Sequence, residues 1–358
     1  MVAARNPASY TDGVKRALRI LGLILVLVIA TAGGVYLVRG GGGGGDAASG
    51  LPPGAEGMKI PLSNEGCREC HPEIYAQWEA SYHALAWDDP QLQVAGMRIK
   101  EKKDCWPCHV PSPIFLAGFG KVPPPRSHAR SEGVGCTACH YTPQGMAGSV
   151  DDPAAPCQPV DEPGIRTIEH CSGCHNQHKT HDEWRTSRFH PDTDCNDCHM
   201  PEVKGVVTKG KPPRTYHAHT WPGCHDLETL RKAFRLSARV TEDGEAVIEL
   251  TNDGAGHHFP TDARFHRADL KADVIREGGE IVNQVDEVFR NPFRYVIGVP
   301  NTQIKPGEKK VYRWTLRETK GVLRVRLLYC LQPSPGDVSR TLSGNNHVLL
   351  EELRIPFP

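Results

Sequence analysis

Five copies of the pattern Cys-x-x-Cys-His occupy the first two thirds of this 358-residue chain. The spacing is typical of c-type haem attachment, in which both thiols add covalently to the haem edge and the adjoining histidine binds the iron from one face. The five copies therefore predict five haem c groups, and they make electron transfer the leading function. The motif residues are Cys67, Cys70 and His71; Cys105, Cys108 and His109; Cys136, Cys139 and His140; Cys171, Cys174 and His175; and Cys195, Cys198 and His199.

Zinc binding and disulfide formation are the two other common uses of paired cysteines. Zinc sites often take two pairs each, and five pairs is an odd number for that purpose. Neither alternative explains a histidine after every second cysteine. Three cysteines remain outside the motifs, which in an exported protein allows one disulfide and one thiol. Cys224-His225 lacks an upstream cysteine, because Trp221 stands there, so a structural cysteine is favoured over a sixth haem with one thioether bond.

The composition excludes some classes of function. Lys+Arg and Asp+Glu both number 42, so the net charge is zero and gives no support to nucleic-acid binding. Glycine (36) and proline (30) are plentiful, which is compatible with a haem region that has little regular secondary structure. In such a region the porphyrins themselves supply the apolar core.

The N-terminal residues predict export. An uncharged apolar run, Ile20 to Val38, follows several basic residues and approaches the roughly 20 residues needed to span a bilayer. Positive charge before the run predicts a cytoplasmic N-terminus. Ala30-Thr31-Ala32 has the form of a signal-peptidase site, which leaves cleavage to a soluble exported protein as an alternative. We favour a retained single-pass inner-membrane helix, because the apolar run continues to Val38, with the haem region in the periplasm or otherwise outside the cytoplasm.

The chain divides into five predicted segments. Residues 1–19 form a basic cytoplasmic N-terminus, 20–38 the transmembrane anchor or signal segment, and 39–62 a flexible tether with six consecutive glycines. Residues 63–226 form a mostly α and irregular pentahaem cytochrome c domain. Residues 227–358 form an all-β domain, which begins with a helix at 227–234.

The β-domain is predicted from turn signals and alternating apolar residues. Asp243-Gly244 between two such stretches is a strong hairpin signal. About seven short strands in this length indicate a sandwich of immunoglobulin-like type. The predicted strands are 236–240, 246–250, 268–276, 280–285, 310–316, 322–329 and 348–355.

Each iron needs a second axial ligand or stays open. Methionine is scarce, so His/His ligation is favoured at most sites. A helix beginning at Pro72 and running through Leu85 would place His83 about 18 Å beyond His71, so that His83 serves a neighbouring haem. His128 lies eight residues before Cys136, and His190 lies in a weak repeat of the segment around His83. Both are candidate ligands, and His170, His178 and His181 crowd the fourth motif.

Several segments resemble the multihaem cytochrome c-552/4 (cytochrome c-554) family. They are residues 66–84, 132–140, 195–201 and 219–226, together with the turn 252–261, which is similar to one in the β-domain that follows the haems in that family. The resemblance implies that His83, His219 and His257 are distal ligands. A glycine-rich turn at His257 would let the backbone approach a haem closely.

Three functions remain open on this evidence. The leading one is an electron carrier between a redox protein donor and acceptor, which requires no catalytic residues and no small-molecule substrate. The second is an oxidoreductase acting on a small nitrogen or sulfur compound at one open haem, although no motif ends in lysine as in nitrite reductases. The third is a membrane-anchored quinol dehydrogenase, which fits the predicted anchor but not the long tether.

Overall fold

The computed structural model describes residues 63–89, 92–93, 104–261, 266–291, 300–330 and 347–358. All of them belong to one unit, Gly50–Pro358. The predicted N-terminus, anchor and tether, residues 1–62, lie outside the described residues. Within the described ranges no helix is long and apolar enough to cross a membrane. These ranges contain all thirteen cysteines and all eighteen histidines of the chain.

Short helices build the region that carries the five motifs. Most motifs close in a helical turn that ends at the histidine, whereas His71 instead caps α2, which has Pro72 at its first position. A capping box between Asp194 and Asp197 fixes the start of α9. The helices are α1 Asn64–Arg68, α2 Pro72–Glu79, α3 Tyr82–Leu85, α4 Trp106–His109, α5 Ile114–Ala117, α6 Cys136–His140, α7 Glu169–His175, α8 Thr180–Arg185 and α9 Cys195–His199, with 3₁₀ turns at Arg130–Glu132 and Pro163–Arg166.

The predicted continuous helix from Pro72 through Leu85 was wrong. Helix α2 ends at Glu79, and α3 begins at Tyr82 with Ser81 as its cap. The Ser81 hydroxyl donates to the Trp78 carbonyl oxygen at 2.7 Å and accepts from the Ala84 amide at 3.4 Å. A serine that bonds to the backbone on both sides competes with the helical ladder, which is why the chain turns here.

Two small sheets lie between the motif helices, and neither was predicted. Strands β1 Tyr141–Thr142, β2 Gly145–Gly148 and β3 Val160–Asp161 form the first, with β2 in the centre. Strands β4 Glu202–Gly205 and β5 Arg214–His217 form an antiparallel hairpin. Strand β2 and the loop between β4 and β5 each bring a backbone carbonyl group to a motif histidine, as described below.

Helix α10, Leu227–Lys232, leads into the seven predicted strands of the C-terminal region, and all seven are present. The hairpin at Asp243-Gly244 is found, with Gly244 at φ +79° and Val240 paired with Ala246. Strand β9 was predicted to end at Val285 but runs to Arg290, paired along its length with β8. The strands are β6 Arg235–Val240, β7 Glu245–Thr251, β8 Arg267–Ile275, β9 Ile281–Arg290, β10 Lys309–Thr315, β11 Gly321–Cys330 and β12 His347–Phe357.

These strands form two antiparallel sheets with the orders β10-β7-β6 and β12-β11-β8-β9. One cluster of twenty-one buried apolar side chains, drawn from both sheets and including Leu230 of α10, fills the space between them. If strands β6 to β12 are lettered A to G in chain order, the two sheets have the strand orders A-B-E and D-C-F-G. The constant-type immunoglobulin arrangement places strand D beside E, so this β-sheet-rich region differs from it in the position of that strand.

The described residues of the motif region form no comparable core. Among its described residues, the buried apolar cluster consists of Tyr141 and Met146, with Cys157 packed against them. A region of some 160 residues would normally bury a much larger apolar core. The motif region therefore requires something other than its own side chains to fill its interior.

Candidate functional site

Four of the five motif histidines are held by the same kind of hydrogen bond. In each, Nδ1 lies within hydrogen-bond distance of a backbone carbonyl oxygen, which can only accept, so Nδ1 carries the proton. This fixes the ring orientation and leaves Nε2 as the atom that can bind a metal. The pairs are His71 with Val207 at 2.6 Å, His109 with Ala86 at 2.7 Å, His140 with Ala147 at 2.7 Å and His199 with Pro222 at 2.6 Å.

Three motif histidines each face a second histidine at nearly the same separation. The ring centres are 6.1 Å apart for His83 and His175, 6.0 Å for His140 and His219, and 6.2 Å for His199 and His257. Metal–imidazole bonds of about 2.0–2.1 Å on opposite sides of one ion would place two ring centres roughly 6 Å apart. The space between each pair therefore fits one metal ion.

Other protein ligands for such an ion are missing from the described part of the chain. It holds no group of three or more His, Cys, Asp or Glu side chains that could bind a metal. A pair of facing imidazoles is the axial set of a haem iron, whose other four ligands come from the porphyrin. The described residues thus fit haem and do not assemble the tetrahedral donor set of a zinc site. No disulfide joins any of the thirteen cysteines.

Burial lowers the pKa of four of the facing histidines, which are therefore neutral at pH 7: His83, His140, His199 and His219. Burial, followed by the charge of nearby histidines such as His175, lowers the pKa of His83 to about 3. Burial and the neighbouring His140 lower the pKa of His219 to about 3. Burial also lowers the pKa of His199, although its bond to the Pro222 carbonyl opposes the effect. Neutral imidazole is the form that binds metal, so these side chains are ready to ligate.

Contacts between the motif thiols show which of the five motifs are neighbours. Cys67 of the first motif is hydrogen-bonded to Cys136 of the third, and Cys108 of the second to Cys174 of the fourth. Burial raises the pKa of Cys171, and the nearby Cys195 and Cys139 thiols add to that effect. The fourth motif therefore lies beside the third and the fifth. The five motifs thus form one connected cluster in the order 1–3–4–5, with the second joined to the fourth.

Two candidate ligands predicted from the sequence are not brought opposite a motif histidine. His128 is exposed. His190 is also exposed, and its ring packs edge-on against Trp184 at 4.7 Å. The two segments of the repeat that suggested His190 share a structural role for their tryptophans. Trp78 donates to the Val134 carbonyl oxygen at 2.8 Å, and Trp184 donates to the Thr193 carbonyl oxygen at 2.8 Å.

The first and second motifs differ from the other three. All eighteen histidines lie in the described ranges, and none makes a ring contact with His71 or His109 there. His170 is buried and packs against Phe115 and Phe119, but both of its ring nitrogens are covered by other atoms and have no hydrogen-bond partner. Among the described residues no ring contact joins His170 to a motif histidine.

Sequence reasoning did not anticipate the surroundings of Cys224. Its thiol is hydrogen-bonded to His225 and His266, and it packs against the core of the β-sheet region. Burial raises its pKa, but the charge of His266 and these two hydrogen bonds outweigh that effect and lower it to about 6. The ring of His225 stacks on Tyr82 at 3.6 Å. Cys224 is thus part of a Cys–His–His cluster.

The comparisons with known proteins agree with this site. A protein-family model described as "Cytochrome c554 and c-prime" matches residues 66–141, which contain the first three motifs. No curated protein and no solved structure matches the chain. The match supports a cytochrome c family, and with it haem c, iron and a haem-based electron-transfer role.

Proposed function

We propose that this protein is a five-haem cytochrome c that carries electrons between two redox proteins outside the cytoplasm. The observation that carries the proposal is the set of three histidine pairs, each joining a motif histidine to a second ring at 6.0 to 6.2 Å. Bound haem supplies reversible one-electron transfer. The location rests on the basic and apolar N-terminal residues.

The chain's own residues would have three tasks in this function. The paired motif cysteines hold the cofactors by thioether bonds. The backbone carbonyls of residues such as Val207 and Pro222 orient the axial imidazoles through Nδ1. His83, His219 and His257 complete His/His ligation at the fourth, third and fifth motifs. Such ligation favours low potentials over the higher ones of His/Met ligation.

The cofactor count and ligation can be tested on protein produced with haem-attachment machinery. Mass spectrometry should find five added haem groups, and a reductive titration should take up five electrons per chain. Changing Cys195 and Cys198 together to serine should remove one haem and leave four, which identifies the fifth motif as an attachment site. A wild-type polypeptide with fewer than five haems would contradict the proposal.

A second function is favoured by the first and second motifs. Within the described residues no histidine ring faces His71 or His109, and an iron left with an open position there could bind a small nitrogen or sulfur compound. Electron paramagnetic resonance of the oxidised protein should then show high-spin iron that changes on adding nitrite or hydroxylamine. A fully low-spin, six-coordinate spectrum would count against this function and leave electron transfer alone.

A further inference from the structure

One contact between the motif region and the β-sheet region surrounds His257. Glu183 lies on α8, and its carboxylate meets the turn that follows His257. Oε2 accepts from the His258 backbone amide at 3.0 Å and from the Thr261 hydroxyl at 3.2 Å. Oε1 lies 3.0 Å from Nδ1 of His258. Two hydrogen-bond donors of one turn, together with the nearby His258 ring, thus converge on a single carboxylate.

This carboxylate is largely removed from water. The Glu183 side chain is 9% exposed, and that of His258 is 22% exposed. Hydrogen bonds to an ionised acceptor are among the stronger ones, and a buried carboxylate that loses its donors pays a large desolvation cost. The contact therefore resists displacement of the turn from α8.

The same turn is held from its other side. The buried Asn252 side chain donates to the carbonyl oxygens of His257 at 2.8 Å and Ile304 at 3.0 Å. Gly256 passes Trp184 so closely that a Cβ there would lie 3.1 Å from the ring. At Gly256 the glycine-rich turn thus lies close to Trp184, a side chain of the motif region. Asn252 fixes the turn to the β-sheet region, and Glu183 fixes it to α8.

We propose that Glu183 is the positioning residue that holds His257 opposite His199. The proposal rests on the proposed function, in which His257 is the distal ligand at the fifth motif. His257 comes from the β-sheet region, whereas His199 belongs to the motif region, so their 6.2 Å separation depends on how the two regions meet. Glu183 bonds to the amide of the next residue after His257, and it is therefore well placed to set that distance.

The test uses holoprotein carrying all five haems, with Glu183→Ala, Glu183→Gln and Glu183→Asp compared with wild type. Low-temperature electron paramagnetic resonance and the reduction potential of the fifth haem are the readouts. Glu183→Ala should convert one low-spin haem to a high-spin or water-ligated form without loss of haem. Glu183→Gln keeps an oxygen that can accept from the His258 amide, so most of the low-spin signal should remain. Arg185→Ala, an exposed residue of the same helix, should match wild type.

The variant His257→Ala separates the role of His257 as a ligand from the role of Glu183 as a positioning residue. If it leaves the spectrum unchanged, His257 is not a ligand and the proposed ligand set is wrong. If it removes one low-spin signal while Glu183→Ala and Glu183→Asp do not, the positioning role alone is wrong. Glu183→Asp keeps the charge but shortens the side chain, and it should lose part of the low-spin signal. It therefore tests the positioning role of Glu183 should Glu183→Ala fail to mature.

Discussion

A histidine that binds iron needs one ring nitrogen anchored and the other free to ligate. Four of the five motif histidines meet this condition through Nδ1 bonds to backbone carbonyls, such as that of His140 to Ala147. His83 is different, because its Nδ1 is buried without a hydrogen-bond partner and its ring is held edge-on by Trp221 at 4.5 Å. Packing, in place of a hydrogen bond, sets the orientation of this ring.

Replacement of His83 tests its assignment to the fourth motif. His83→Ala should leave five covalent haems but convert one to a high-spin or water-ligated state, because the imidazole 6.1 Å from His175 is removed. The visible and electron paramagnetic resonance spectra measure this change. His190→Ala is the matched control, since His190 is exposed and contacts Trp184. An unaltered spectrum in His83→Ala would remove His83 from the ligand set.

Cys224 should be the most reactive thiol of the holoprotein. The motif cysteines would be consumed in thioether bonds, burial raises the pKa of Cys157, and Cys330 is buried. Because His266 and His225 lower the pKa of Cys224 to about 6, iodoacetamide should alkylate it at neutral pH, with a rate that falls as pH drops through about 6. Peptide mass mapping locates the adduct. Equal labelling of the Cys224→Ser variant would contradict this assignment.

The lowered pKa of Cys224 also makes the stability of the folded protein depend on pH. The thiolate of Cys224 is favoured in the folded state relative to its ordinary value of 9.0. The stabilisation that the Cys224 thiolate contributes is therefore fully present above pH 9.0, and it is lost as pH falls through about 6.

At the scale of elements, the motif helices are too short to be stable alone. Isolated helices below about 12–15 residues are marginal in water, and the longest motif-region helix among the described residues, α2, has eight residues. Their stability must come from what they pack against. By contrast, the turn that carries His257 is built by direct protein contacts, since Gly254 and Gly256 let it lie against Lys232 and Trp184.

Substitution of Gly254 should weaken this turn. A Cβ at that position would overlap the Lys232 carbonyl oxygen, and the Gly254 amide already bonds to the Ala233 carbonyl at 3.1 Å. Gly254→Ala should therefore cost about 1–3 kcal/mol, as overpacking typically does. The thermal midpoint of the holoprotein measures the loss. Gly278→Ala meets open space and serves as control; an equal midpoint in both variants would show that the turn tolerates a side chain.

At the scale of the whole molecule, the two regions are stabilised in different ways. The β-sheet region has its own core of twenty-one buried apolar side chains, whereas the described motif region has the small cluster around Tyr141 and Met146. Covalent haem would supply the missing apolar interior. Folding of the motif region should therefore depend on haem attachment, and folding of the β-sheet region much less.

Expression in the cytoplasm without haem-attachment machinery tests this difference. The product should be colourless, and limited proteolysis should degrade the motif region while sparing a fragment that begins near residue 227. Mass spectrometry of the digest identifies the fragment. The same chain matured with haem should resist cleavage in both regions. A red, protease-resistant cytoplasmic product would argue against a core made of covalent haem.

Much of the chemistry could be predicted from local sequence. The motif spacing indicates the cofactor, and Asp243-Gly244 with its flanking apolar residues correctly predicts a hairpin, because a turn and alternating burial are properties of neighbouring residues. The break after Glu79 was missed, although Ser81 was its signal. A serine inside an apolar pattern can either stay in a helix or cap the next one, and only the bonds it forms decide between the two.

The sequence by itself determined the five motifs, the β-strands and the supply of histidines for second ligands. Only the tertiary structure decided which histidines meet: His83 with His175, His140 with His219, and His199 with His257. The physical reason is that a metal site depends on distances of a few ångströms between residues far apart in the chain. Spacing along the backbone does not set those distances, whereas contacts such as that of Glu183 with His258 do.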